Sequence, residues 1–304
     1  MGTPELACAS LEALLDCRDF QIAGVVTQPD RPKGRDLKLA ISPVKELALR
    51  HTLPVLQPER ARDEGFIKSL VSWQPELIVV AAYGQILSRS ILELPRYGCI
   101  NVHTSLLPRY RGAAPIQWAI LNDDAETGVT IMQMDAGMDT GGIISQERTP
   151  ISAEDNAQTL HDRLASIGAN LLLRTVPDFV SGKIKPQPQP PDGIVYAPKI
   201  KKEDGRIDWA QPARVIWNAV RGLVPWPVAF TFLPATGELV KIWEARIVDG
   251  SGTPGIILAA DKEGIVVGCG AKALQIRSLQ RQGKRRMSAQ EFLAGCSLRV
   301  GQSF

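Results

Sequence analysis

Three polar side chains stand beside or within apolar, strand-like runs. Asn101 and His103 lie in Cys99-Ile-Asn-Val-His103, and Asp139 lies in the glycine-bearing stretch Met134-Asp-Ala-Gly-Met-Asp-Thr-Gly141. An amide, an imidazole and a carboxylate are the groups that acyl transfer to an amine calls for. Nitrogen attack on a carbonyl-type carbon puts negative charge on oxygen, which a placed donor stabilises by about 3 to 4 kcal/mol in comparable sites. The attacking nitrogen must also give up a proton to a base. Side chains two residues apart on a strand point to the same side, so Asn101 and His103 can face one substrate. Asp139 can orient the imidazole or relay a proton, with Asp135 as its competitor; either could instead shape an Asx turn. A lone histidine is more often a satisfied core residue than a catalyst. The asparagine two residues before it and the glycine-rich aspartate turn argue the other way.

The elements that must position these groups alternate in type. Helical patterns are expected from Thr3-Pro4, with Thr3 as cap, and over 42–50, 61–73, 87–92, 114–121 and 159–180. Strand patterns fall at 22–27, 55–56, 77–82, 100–103, 129–134 and 143–146. Such alternation predicts an α/β domain with a doubly wound parallel sheet, whose ligands sit past the strand ends. The proline-rich span Ser181 to Gly193 cannot belong to a helix interior or a central strand. It divides the chain into a catalytic domain at 1–182, a linker at 183–200 and a C-terminal domain at 201–304. In that last part a helix at 213–221 is followed by five short strands, at 228–233, 240–248, 255–260, 264–267 and 274–279, the pattern of a small antiparallel β-barrel.

The chain of 304 residues suits two domains, and 44% hydrophobic with 22% charged residues excludes a disordered protein. No apolar run is long enough to cross a membrane and the N-terminus has no signal-peptide pattern, so a cytoplasmic location is expected. Five cysteines without C-x-x-C spacing, and only His51, His103 and His161 beside them, indicate neither a disulfide framework nor a metal site. The net charge of +3 is unevenly spread. From residue 201 onward fifteen basic residues face nine acidic ones (+6), while the first 200 residues carry twenty against twenty-three (−3). A basic module beside a near-neutral catalytic one fits a polyanionic substrate.

Asn101, His103, Ser105-Leu-Leu-Pro108, Arg111-Gly112, Ala114-Pro-Ile-Gln117 and Asp139 together resemble the signature of the folate-dependent formyltransferases. The resemblance extends through Gly2-Thr-Pro-Glu5, Thr27-Gln-Pro-Asp-Arg-Pro32, Ala82-Tyr-Gly84, Ile207-Asp-Trp209 and Pro225-Trp-Pro227, over essentially the whole chain. Thr104 departs from the pattern, which has a smaller residue there. The resemblance implies a Rossmann-like formyltransferase domain followed by an oligonucleotide-binding type of barrel. It also implies a monomeric enzyme that moves the formyl group of 10-formyltetrahydrofolate to methionine carried on initiator tRNA, without a metal. By the same resemblance a short apolar strand precedes Gly2-Thr-Pro, so the sheet is expected to lack its first, central strand.

The resemblance assigns catalysis to Asn101, His103 and Asp139, and the folate pocket to Ser105, Leu106, Leu107 and Pro108. It assigns the grip on the tRNA acceptor end to the basic loop with Arg31, Lys33, Arg35 and Lys38. A second cluster with Lys284, Arg285 and Arg286 would meet phosphates further along the stem, positioning without reading sequence. Arg109 and Arg111 could pair with phosphates or the folate tail, or bridge surface carboxylates. Trp209, Trp217 and Trp226 sit among apolar neighbours and read as core or interface residues. Rival activities are formylation of a small amine, such as glycinamide ribonucleotide or an amino sugar nucleotide, and hydrolysis of the formyl-folate. A non-catalytic RNA-binding protein is a rival from another class. A nicotinamide-dependent oxidoreductase is disfavoured, because no G-x-G-x-x-G follows a strand.

Overall fold

A computed structural model describes residues 1–33, 38–296 and 298–304. Arg35 lies outside the described residues. The chain forms two compact units. One comprises Met1–Pro115, Glu126–Pro150 and His161–Pro198, and the other Ile116–Ala125, Ile151–Leu160 and Lys199–Phe304.

The first half of the chain alternates as its patterns predict. The order is α1 (Glu5–Asp16), β1 (Val25–Val26), β2 (Arg31–Lys33), β3 (Lys38–Ala40), α2 (Pro43–Arg50), β4 (Val55–Leu56), α3 (Glu64–Ser72), β5 (Ile78–Val80), α4 (Arg89–Leu92) and β6 (Cys99–His103). Then come β7 (Arg111–Gly112), α5 (Pro115–Leu121), β8 (Glu126–Gln133), β9 (Ile143–Pro150), α6 (Ala157–Val180) and β10 (Tyr196–Ala197). Ser42 starts α2, accepting from the Lys45 amide at 3.1 Å ahead of Pro43. Thr3 does not cap α1. Its hydroxyl donates to the Tyr83 carbonyl (3.1 Å) and accepts from the Gln28 amide, fixing the loop after β5 instead.

The main sheet has the order β5-β6-β8-β9. β5 and β6 run parallel, whereas β8 and β9 are antiparallel additions. Between β8 and β9 the reason is connection length: residues 134–142 alone join them, too few for a crossover between parallel strands. α6 lies against this sheet so closely that a Cβ on Gly168 would come within 2.8 Å of Val102. Val26, Phe66, Leu70, Ile78, Val80, Leu87, Ile91 and Cys99 form one core cluster of this unit. Each large apolar side chain among them contributes about 1.5 to 3 kcal/mol on burial. β1 and β4 form a separate parallel ladder. Met1 and Gly2 bond to both ladders, the Ala81 amide donating to the Met1 carbonyl (2.9 Å) and the Gly2 amide to the Val26 carbonyl (3.0 Å). A cavity of about 950 Å³ opens there, lined by Val25, Val26, Leu70, Trp73 and Ile78 among others; neither Asn101, His103 nor Asp139 reaches it.

The other unit is built on an antiparallel sheet. It contains α7 (Ala213–Gly222), β11 (Ala229–Phe232), β12 (Leu239–Val248), β13 (Ile257–Asp261), β14 (Gly264–Gly268), β15 (Ala273–Arg281), β16 (Arg286–Ser288) and α8 (Ala289–Gly295). The strand order is β11-β12-β15-β14-β13, with β16 added to β15. Trp209, Ile216, Val240, Ile242, Ile265, Ile276 and Phe292 make its core, and the Trp209 indole donates to Thr231. Arg214 grips the Asp123 carboxylate in a bidentate pair, and buried Arg221 donates to the carbonyls of Ser152 and Asp155. These bonds draw two segments of the first half of the chain into this unit. Trp217 packs under the guanidinium groups of Arg214 and Arg221. Trp226 departs from the expectation for the tryptophans: it is 53% exposed.

Candidate active site

The strand β6 delivers Asn101 and His103 to one face, as alternation requires. Asn101 is half-buried, in register with Val80 on one side and Met132 on the other. Among the described residues its side-chain amide has no partner. His103 is buried at 6% exposure. Its Nε2 lies 2.9 Å from the Tyr110 carbonyl. A carbonyl only accepts, so Nε2 carries the proton and donates, and Nδ1 is the nitrogen without a proton in the neutral ring. Asp139 Oδ2 stands 3.8 Å from that Nδ1. This is beyond hydrogen-bond length, so the hydrogen bond that holds the ring is the one to the Tyr110 carbonyl. The same Oδ2 accepts from the Gly112 amide at 2.8 Å.

The route by which Asp139 arrives could not be read from spacing. Because β8 is antiparallel to β6, it ends beside the start of β6, with the Met134 amide donating to the Cys99 carbonyl. The loop 134–142 must therefore fold back along β6 by about 13 Å, four residues at roughly 3.3 Å each, to reach His103. Its closure is tight: the Gln133 amide donates to the Gly142 carbonyl, and a Cβ on Gly141 would fall 1.8 Å from the Gln133 carbonyl. Asp139 itself adopts a left-handed backbone, φ 53°, a conformation disfavoured for a residue other than glycine. Asp135 takes the Asx-turn role, accepting from the Gly137 amide (3.0 Å) and the Thr140 hydroxyl (2.7 Å). The polar trio thus lies over the sheet face along β6, not only past its end.

Parallel pairing of β5 with β6 brings the following loops, 81–87 and 104–108, out at one sheet edge. Within the second loop, Ser105 and Leu107 are fully buried. The Ser105 hydroxyl donates to the Arg109 carbonyl (2.6 Å), its carbonyl accepts from Thr130, and the Leu107 amide donates to the Thr130 hydroxyl. Leu106 and Pro108 stay half-exposed, so this loop offers a ligand its backbone and an apolar edge. In the first loop burial pushes the Tyr83 phenol up to about 12, keeping it neutral. Burial likewise raises Cys99 to about 12, and Cys8 and Cys269 to about 11, which leaves them unreactive thiols. Among the described residues no group of three or more His, Cys, Asp and Glu side chains could hold a metal ion.

The basic residues are placed less centrally. β2 and β3 pair antiparallel, with Lys33 in register with Lys38, and exposed Arg31 pairs with Glu59 at 2.7 Å. In the C-terminal unit, Arg285 pairs with Glu291 (2.7 Å), Arg286 reaches Glu244 (3.4 Å) over the ring of Trp243, and Lys284 occupies the turn between β15 and β16. Arg111 is buried, and its Nε and Nη2 donate to Gln189 Oε1 at 3.1 and 2.7 Å. Arg109 stacks on Tyr110. Reading by sequence missed Gln189, Thr130 and the backbone of Tyr110 and Gly112; backbone groups carry no residue-type signal, and Gln189 stood in a segment whose prolines spoke only of a linker.

Comparison with known proteins places the chain in a family. The formyl transferase family matches residues 2–176, and the formyl transferase C-terminal domain matches residues 199–297. A relative from Pelobacter propionicus named methionyl-tRNA formyltransferase is 51% identical over 301 residues, covering 99% of this chain and 93% of its own. Another of that name, from Caldanaerobacter subterraneus subsp. tengcongensis, is 48% identical, covering 99% of this chain and 97% of its own. Among solved structures, the N-formyltransferase from Helicobacter canadensis in complex with folinic acid and dTDP-3-aminofucose superposes with a TM-score of 0.66 at 20% identity, covering 90% of this chain and 97% of that one. HypX from Aquifex aeolicus, in complex with tetrahydrofolic acid, gives a TM-score of 0.60 at 19% identity over 85% of this chain and 47% of its own. These two share the fold. With both halves of its length matched and relatives about half identical across it, the chain belongs to the formyl transferase family.

Proposed function

We propose that this chain transfers the formyl group of 10-formyltetrahydrofolate to the amino group of methionine on initiator methionyl-tRNA, giving formylmethionyl-tRNA. The observation that carries the reading is likeness along the whole length: relatives named for that reaction are 46 to 51% identical over 99% of this chain.

The folate supplies the formyl carbon, and the side chains of the trio do the rest. The Asn101 amide donates to the oxygen on which negative charge develops, a contribution of about 3 to 4 kcal/mol in comparable sites. His103 Nδ1 takes the proton shed by the attacking nitrogen, because Nε2 is committed to the Tyr110 carbonyl. Asp139, 3.8 Å away, stabilises the positive charge that the ring then carries. The backbone of 105–108, with Leu106 and Pro108, forms an edge for the flat pterin. Orientation of folate and aminoacyl end in one site adds the largest gain, effective molarities reaching about 10⁵ M or more.

The basic loop with Arg31, Lys33, Arg35 and Lys38 holds the acceptor end of the tRNA, and Lys284, Arg285 and Arg286 hold phosphates further along. The ion pairs of Arg31, Arg285 and Arg286 are solvent-exposed. Exposed pairs contribute about 0 to 1 kcal/mol, so exchanging a carboxylate for a phosphate costs little. The enzyme works as a monomer in the cytoplasm. No helix among the described residues is long and apolar enough to cross a membrane.

The test offers the purified chain 10-formyltetrahydrofolate with methionyl-tRNA, free methionine or an amino sugar nucleotide. Formylation of methionyl-tRNA alone, weakening steeply as salt rises because each neutralised phosphate releases about 0.7 to 0.9 of a counterion, is the expected result. Equal use of either small amine would overturn it.

A further inference from the structure

The segment after α6 does more than connect. Its two ends are pinned to the two stretches of chain that build the Asp139 site. Near one end, Gln187 and Ile143 exchange both backbone hydrogen bonds, at 2.8 and 2.7 Å, beside the loop that carries Asp139. At the other end β10 pairs in parallel with β7, the Arg111 amide donating to the Val195 carbonyl and the Ala113 amide to the Ala197 carbonyl, each at 2.9 Å.

Between these anchors the side chain of Gln189 bonds to both stretches. Its Oε1 accepts from Arg111 Nε and Nη2, and its Nε2 donates to the carbonyls of Asp139 (2.7 Å) and Gly141 (2.8 Å). Arg111 can only donate and the two carbonyls can only accept, so a single assignment of oxygen and nitrogen satisfies all four bonds. The amide ties the 110–112 stretch, which orients His103 through the Tyr110 carbonyl and Asp139 through the Gly112 amide, to the left-handed Asp139 turn itself.

We infer that Gln189 is a positioning residue for the proposed reaction: its carboxamide holds Asp139 at its working distance from His103, by cross-linking Arg111 to the main chain at Asp139 and Gly141. The inference rests on the role proposed above for Asp139. Both halves of the amide are needed. A carboxylate in its place keeps the contact to Arg111 but sets an oxygen against two carbonyl oxygens. A hydrocarbon side chain leaves buried Arg111 and both carbonyls without their partner.

The experiment measures formylation of methionyl-tRNA by the full-length chain as Gln189→Ala and Gln189→Glu, each alone and combined with Asp139→Asn. Displacement of a reacting group by about 1 Å costs on the order of a hundredfold, so kcat is expected to fall by about 10- to 100-fold in either variant while KM for both substrates stays within about twofold. Since Gln189 acts through Asp139, adding Gln189→Ala to Asp139→Asn is expected to cost less than about threefold more. If Gln189→Ala does not fold, Gln189→Glu, of the same length, decides. A folded Gln189 variant with unchanged kcat overturns the inference, as does a loss that multiplies in full with that of Asp139→Asn. If Asp139→Asn alone leaves kcat intact, the proposed role of Asp139 fails first and the inference falls with it.

Discussion

Replacing Asp139 by Asn isolates the charge at the site from its geometry. The amide oxygen of Asn can still accept from the Gly112 amide, which bonds Asp139 Oδ2 at 2.8 Å, so the turn keeps its anchor while the negative charge disappears. The charge acts on an imidazole 3.8 Å away. At an effective dielectric of about 20, unit charges at that separation attract by about 4 kcal/mol. The Asp139 side chain retains 18% of its exposure, and solvent screening trims this toward about 3 kcal/mol. If the ring gains its proton before or in the rate-limiting barrier, turnover falls by about 10²- to 10³-fold, one decade for every 1.36 kcal/mol. Single-turnover formylation with saturating folate and methionyl-tRNA measures this directly, with KM for either substrate expected to stay near that of the unaltered chain. Asp139→Ala, which also abandons the Gly112 amide, should lose more. Retention of more than about a fifth of turnover by Asp139→Asn would mean that the carboxylate stabilises no developing charge, and the electrostatic reasoning would be refuted.

Other expectations follow from single contacts. Hydrogen bonds from Lys45, Arg214 and Arg281 hold the carboxyls of Asp30, Asp123 and Glu238 below their ordinary 3.8, 3.8 and 4.5. The unfolded chain binds more protons there, so the stability these pairs give is present above those ordinary values and lost as pH falls through the lowered folded ones. Urea midpoints should drop as pH is taken from about 6 to about 3, and a flat profile would exclude the pairs as a source of acid sensitivity. Gly112→Ala should destabilise by about 1 to 3 kcal/mol, since its φ is 126° and a Cβ would lie 2.7 Å from the Ala197 carbonyl; thermal unfolding reads this, and an unchanged midpoint contradicts it. Lys33→Glu is expected to raise KM for methionyl-tRNA while sparing kcat, with the difference shrinking at high salt. Identical kinetics at low salt would leave the basic loop as ordinary surface.

Several elements were legible because their signals are local. The Ser42-Pro43 start of α2 was written in the capping residue and the ring-fixed φ that follows it. The strand β6 announced its two inward polar groups through a period of two, and five strands of the C-terminal unit fell near their expected positions. Thr3 misled because a hydroxyl ahead of a helix has more than one partner within reach. The nearest proved to be the Tyr83 carbonyl, eighty residues away in the chain. Trp226 misled because apolar neighbours in sequence do not ensure burial.

The sequence by itself determined which groups are present and on which strand face Asn101 and His103 stand, since side-chain alternation is a property of any extended chain. It also determined the division into a near-neutral and a basic half, because charge is counted residue by residue. Only the tertiary structure decided that Asp139 folds back along β6 to His103, that the Tyr110 carbonyl fixes which ring nitrogen carries the proton, and that Gln189 binds the two stretches together. Each of those depends on strand direction and on hydrogen bonds between segments remote in the chain. Neither is encoded in the type or spacing of neighbouring residues; both are settled when packing fixes which backbone groups face one another.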